Sequence, residues 1–175
     1  MRATVALIGT FLALIGCGNG DNNGTPTNGL RTITYRLAPA QGPYVDPPNG
    51  SVIAFRPPGL GKPPFVSPLS GTFDLRPVQP LPPNTDFDFR ITNVQLNGGP
   101  FTVLGNAGRV IATRWDPVHP LSIAMSVSID GQPVELVGSG SPDTFTEDSP
   151  PVFTGVVLFD DVLGYSITLF AAPAE

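Results

Sequence analysis

Few side chains in this sequence have the types and spacing to do chemistry: one histidine, one cysteine and two groups of carboxylates. His119 lies in Asp116-Pro117-Val118-His119-Pro120. A Ser-His-Asp triad needs such a histidine as base, together with a serine on a sharp strand-to-helix elbow. Gly138-Ser139-Gly140-Ser141 shares some of the elbow's composition, but no helical pattern follows it. It reads as a flexible loop after a strand. Asp143, Glu147 and Asp148 form one acidic group, and Asp160 and Asp161 the other. Paired carboxylates can hydrolyse glycosides or hold calcium, yet both groups fall in expected loops, where acids favour turns and solubility. Asn19, Asp21, Asn23 and Gly24 match the start of a calcium loop, but its closing acidic position is Leu30. A zinc site would have to rely mainly on carboxylates, which zinc seldom does. The expectation is a non-enzymatic domain with no catalytic residue, no metal site and no cofactor.

Cys17 is different. Met1-Arg2 gives a short positive start, and the mostly apolar stretch 3–15 leads into Leu14-Ile15-Gly16-Cys17. A bilayer span needs about 20 apolar residues, whereas a secretory h-region needs about 7–15. No A-x-A-like cleavage site is present, and the small residue Gly16 directly precedes the thiol. This arrangement resembles the signal of bacterial lipoproteins. The resemblance covers residues 1–17 and implies a signal peptide at 1–16. It makes Cys17 the first mature residue, carrying a thioether diacylglycerol and usually an N-acyl chain. Two or three acyl chains hold a protein firmly to a membrane, and one does so only weakly. Gly18 stands where an aspartate often marks inner-membrane retention, so the same analogy points to the outer membrane. With Cys17 acylated, the mature chain keeps no free thiol for disulfides, catalysis or metal.

The formal net charge is −5, and it falls by one when Arg2 is removed. Such a balance opposes nucleic acid, which needs a basic face, and electrostatic docking on anionic lipid. Residues 17–29 hold the lipidated cysteine and a Gly/Asn/Thr-rich segment with nothing to anchor in a core. That segment is expected to be a flexible tether, reaching roughly 20 Å.

The domain at 30–175 shows a period of two. Ile33, Tyr35 and Leu37 alternate with polar residues, as do Leu69/Phe73/Leu75, Phe87/Phe89/Ile91, Leu121 through Ile129, and Leu163 through Leu169. Alternation of this kind marks strands with one wet and one dry face. Weaker strands are expected at 51–56, 101–104, 109–115, 134–137 and 152–159. Asp130-Gly131 predicts a two-residue hairpin, and Asn97-Gly98-Gly99-Pro100 predicts another turn. The apolar phase slips by one at Asn93, and a β-bulge there would keep both sets of apolar residues facing inward. Dense proline runs at 39–48, 57–68 and 77–83 predict edge, turn or polyproline segments. No helical period appears after the signal.

These features predict one all-β antiparallel domain: a β-sandwich with jelly-roll or Greek-key connections, or alternatively a closed β-barrel. Asp74, Asp86 and Asp88 are expected to form surface cross-strand pairs with neighbours such as Arg76 and Arg90. Tyr35 and Tyr165 share the dry phase. Trp115, Tyr44 and Phe170 are the aromatics expected to be exposed, where they could stack on sugars. The leading functional expectation is a membrane-anchored cell-envelope protein that binds or scaffolds an envelope protein or glycan. A carrier of lipid or another hydrophobic ligand is one alternative, and a carbohydrate-binding or hydrolase domain is another.

Overall fold

The computed structural model describes residues 31–43, 46–57, 65–81, 83–113, 121–141, 144 and 150–175. Their ten strands are β1 (Ile33–Leu37), β2 (Val52–Phe55), β3 (Phe65–Pro68), β4 (Ser70–Pro77), β5 (Thr85–Gly98), β6 (Phe101–Thr113), β7 (Leu121–Ile129), β8 (Gln132–Gly140), β9 (Phe153–Phe159) and β10 (Tyr165–Pro173). All strand pairings are antiparallel, and β1 pairs with β10 to close the sheet.

The closed sheet has eight walls, because two walls are interrupted strands. β1 and β2 lie in line along one edge of β10, with Leu37 opposite Ala171 and Val52 opposite Thr168. β3 and β4 lie in line beyond them, joined through Leu69. The chain leaves the first wall after Leu37 and returns at Ser51. At the break, the buried Ser51 hydroxyl donates to the Phe170 carbonyl and accepts from the Phe170 N–H, both at 2.9 Å. A side chain thus supplies what the missing ladder residues would have supplied.

Counted as walls, the strands follow chain order around the barrel. The connections are those of a meander, not the expected jelly-roll or Greek key, and closure selects the barrel over the sandwich. The sandwich expectation failed for a simple reason: period two demands one dry face, which either architecture provides. The short β3 was also not foreseen. It ends on Pro68, where a missing N–H is tolerated at a strand terminus.

The dry faces meet inside. Tyr35, Leu75, Ile91, Leu96, Val103, Leu121, Met125, Leu136, Val156, Leu158 and Leu169 belong to one buried cluster drawn from all eight walls. An eight-stranded barrel is just wide enough for its side chains to fill it. The polarity is the reverse of a membrane-spanning barrel, whose outer band is apolar. Here Arg36, Arg76, Arg90, Arg109 and Glu135 all stand on the exposed outer face.

The local signals work as expected where backbone sterics dominate. Asp130 and Gly131 adopt φ of 51° and 85° and join β7 to β8, with Ile129 opposite Gln132. Asn93 has φ of 51°. Around it the β4–β5 register shifts between Thr72 and Asp74. Ile91 and Val94 are both buried, so the bulge does preserve the inward phase. By contrast, Ser139 and Gly140 belong to β8 and not to a loop.

Tyr35 is the more deeply buried of the two core tyrosines. Its ring stacks on Phe73 at 5.3 Å, and its hydroxyl donates to the Pro151 carbonyl at 2.8 Å. Burial pushes the phenol well above its ordinary value of 10.0. The folded chain therefore holds this proton to higher pH than the unfolded chain does. The corresponding stability is complete below pH 10 and declines above it, by about 1.4 kcal/mol per pH unit per phenol. Tyr165 shifts the same way, through burial and then Asp130. Tyr35→Phe should flatten the alkaline decline by about one proton, measured by denaturant titration from pH 7 to 11. At neutral pH it should cost about 1 kcal/mol, because the Pro151 carbonyl loses its donor.

Candidate functional site

The outer wall formed by β4, β5 and β6 carries three of the six described arginines, Arg76, Arg90 and Arg109, beside three aspartates, Asp74, Asp86 and Asp88. Alternation turns Leu75, Phe89, Ile91 and Val110 inward, which turns Arg76, Arg90 and Arg109 outward. The registers then align them: Arg76 lies directly opposite Arg90, and Arg90 directly opposite Arg109. Three guanidinium groups thus stand in one row across three strands, spaced by about 4.8 Å at the backbone. Like charges directly opposite each other destabilise a sheet, and here they occur in a chain of net negative charge.

Among the described residues, only Arg109 of the three pairs with a carboxylate. Arg109 forms a two-pronged pair with Asp88: Nε to Oδ1 at 2.9 Å and Nη2 to Oδ2 at 2.6 Å. The Asp88 side chain is fully buried, while Arg109 is half exposed. The hydrogen bonds and charge of Asp88 raise the Arg109 guanidinium above its ordinary value. The bidentate geometry fixes the plane of the guanidinium. Among the described residues, Arg76 and Arg90 have no carboxylate partner. The expected surface pairs of Asp74 and Asp88 with these two arginines therefore do not form. Asp88 turns across the sheet to Arg109. Asp74 accepts from Thr34 Oγ1 at 2.8 Å and from Asn93 Nδ2 at 3.2 Å.

Two open hollows flank Arg90. One, of about 510 Å³, is lined by Arg90, Thr92, Asn106, Arg109 and Val78 among others. The other, of about 230 Å³, is lined by Arg76, Gln79, Arg90 and Val78 among others. The bulges shape the first. The β6–β7 register shifts between Gly105 and Ala107, and Asn106 Oδ1 accepts from the Asn93 N–H at 3.2 Å. The exposed row is therefore bordered by two open hollows with polar side chains on their rims.

The remaining expectations divide in two. Cys17, Tyr44, Trp115, His119, Asp143, Glu147 and Asp148 lie outside the described residues. Among those described, Asp160 forms the β9–β10 turn by accepting from the Leu163 N–H. Tyr35 and Tyr165 are core, as their phase indicated. Phe170 is half-buried on the outer wall, against Gly155. Phe65 and Phe159 are exposed, at 50% and 44%, and alternation did not single them out. Phe65 extends an aromatic group with Phe101, Phe55 and Tyr165 at one end of the barrel.

No protein-family model matches this chain, and neither curated proteins nor solved structures yield a match.

Proposed function

We propose that this protein is an exported lipoprotein, held to the cell envelope through Cys17, whose barrel binds an envelope component on its outer wall and catalyses no reaction. The observation that supports outer-wall binding is the filled interior. Side chains from every wall occupy it, so a lipid or other apolar guest would first have to displace packed residues such as Leu96, Val103 and Leu136. The carrier alternative has no comparable support.

The anchor reading rests on the sequence around Cys17 and agrees with the position of the strand ends. Tyr35 pairs with Pro173, so β1 begins where β10 finishes, at the barrel end away from the Asp130-Gly131 turn. A tether from Cys17 would therefore hold that end toward the membrane and present the hairpin turns outward. The outer membrane is the proposed location.

The test is mass spectrometry and membrane fractionation after expression in a bacterium with lipoprotein-processing enzymes. The wild type should lose residues 1–16, gain the mass of a diacylglycerol and acyl chain, and sediment with membranes. Cys17→Ser should leave the membrane fraction unacylated. A retained leader with a free Cys17 thiol would overturn the proposal.

A further inference from the structure

We infer that the Arg76–Arg90–Arg109 row is a binding site for a linear acidic glycan, with carboxylates as the recognised groups. This deepens the proposed outer-wall binding role and rests on that reading for the glycan source. The anion site itself stands on the barrel alone.

Four observations converge. The three arginines are in direct cross-strand register, an arrangement that weakens the fold unless an anion occupies it. Arg76 and Arg90 have no internal acid among the described residues, so their donors are available. Arg109 is already oriented by buried Asp88, which lowers the ordering cost of a further contact. The exposed row borders two open hollows with Thr92, Asn106 and Gln79 at their margins. These last side chains suit sugar hydroxyls.

The spacing favours a chain over a single ion. Arg76 and Arg109 stand two strand spacings apart, roughly 9.6 Å, and an extended uronate chain, whose successive carboxylates turn to opposite sides, returns one to the same side every second sugar. Arg76 and Arg90 can each meet a carboxylate through two parallel hydrogen bonds, and Arg109 offers the donors that Asp88 leaves unused. The row holds three arginines, so it suits a short run of carboxylates, and the net charge of −5 repels any long polyanion, duplex nucleic acid included. Asp74, Asp86 and Asp88 are the nearby acids on the same outer face, and Asp88 is taken by Arg109. Asp74 is held by Thr34 and Asn93, and Asp86 also has a partner.

The experiment titrates the full chain with a short oligogalacturonate by calorimetry, at low and at physiological salt. The fully methyl-esterified oligomer is the neutral control. The acid form should bind, weaken with salt, and outcompete the ester. Arg90→Gln should lower affinity by about tenfold, roughly the worth of one charge-assisted hydrogen bond. It should leave the unfolding midpoint unchanged or raise it, because a like-charge contact is relieved. Arg56→Gln, beyond the end of β2 and outside the row, should leave affinity unchanged. No binding of the acid oligomer at low salt would overturn the inference, as would equal losses in the two variants. Binding of tripolyphosphate or phosphatidylglycerol vesicles in place of the uronate would overturn the glycan assignment. The acylation state of Cys17 is read separately by mass, so failure of the anchor does not resemble failure of this site.

Discussion

Gly138→Ala should open the barrel along the β8–β9 seam. Three residue pairs form this seam: Val137 opposite Phe159, Gly138 opposite Leu158, and Ser139 opposite Val157. The neighbouring β7–β8 ladder runs from Leu121/Gly140 to Ile129/Gln132. A Cβ on Gly138 would overlap the Val157 carbonyl oxygen and lie 2.9 Å from its carbon and 3.0 Å from the Leu158 Cα. All three are backbone atoms, so no side chain can rotate away, and the strands themselves must separate. Separation costs the seam's hydrogen bonds and lets water reach Val156 and Leu158, both fully buried. Losing the burial of those two side chains costs about 3–6 kcal/mol. The opened walls also present unpaired edges, which promote association between chains. Denaturant unfolding should show a loss in that range, and sedimentation should show oligomers. An unchanged midpoint would mean that β8 and β9 do not approach as closely as described.

The same seam shows why closure was hard to foresee. Strand existence follows from local alternation, and the Leu121–Ile129 run and its Asp130-Gly131 turn illustrate this well. Closure depends on Leu37 meeting Ala171, a contact between opposite ends of the domain with no local signature. β6 was divided in two because Gly105-Asn106-Ala107-Gly108 carries no apolar phase. The backbone nevertheless continues through it with a register shift. The candidate site was legible only in part. Arg76, Arg90 and Asp88 were recognisable as outward-facing strand residues. Which charge faces which is set by turn lengths and bulges, and these gave Asp88 to Arg109 and aligned the arginines. Lipidation at Cys17 is the opposite case: its motif is visible in the sequence and lies outside the described residues.

Asn93→Val should destabilise the fold, while Asn93→Gly should spare it. Asn93 is one extra residue between two inward-facing sets, Phe87/Phe89/Ile91 before it and Val94/Leu96 after it. It occupies positive φ, a conformation that asparagine tolerates, glycine adopts freely and a β-branched residue resists. If position 93 left that conformation for regular extended backbone, alternation would run on from Ile91, and Val94 and Leu96 would turn to the wet face. A one-residue slip reverses every side chain beyond it. Both residues are now almost fully buried, so their exposure would cost about 3–6 kcal/mol. That is a large share of a typical domain's stability of about 5–15 kcal/mol. Valine at 93 must therefore accept the left-handed backbone, which costs about 1–3 kcal/mol, because the alternative costs more. Glycine at 93 keeps the backbone conformation without that strain. Both variants lose the exposed bonds to Asp74 and Gln95, so the comparison between them isolates the backbone. Paired denaturation curves should place the valine variant about 1–3 kcal/mol below the glycine variant. Equal stabilities would show that the inward phase is held by something other than this bulge.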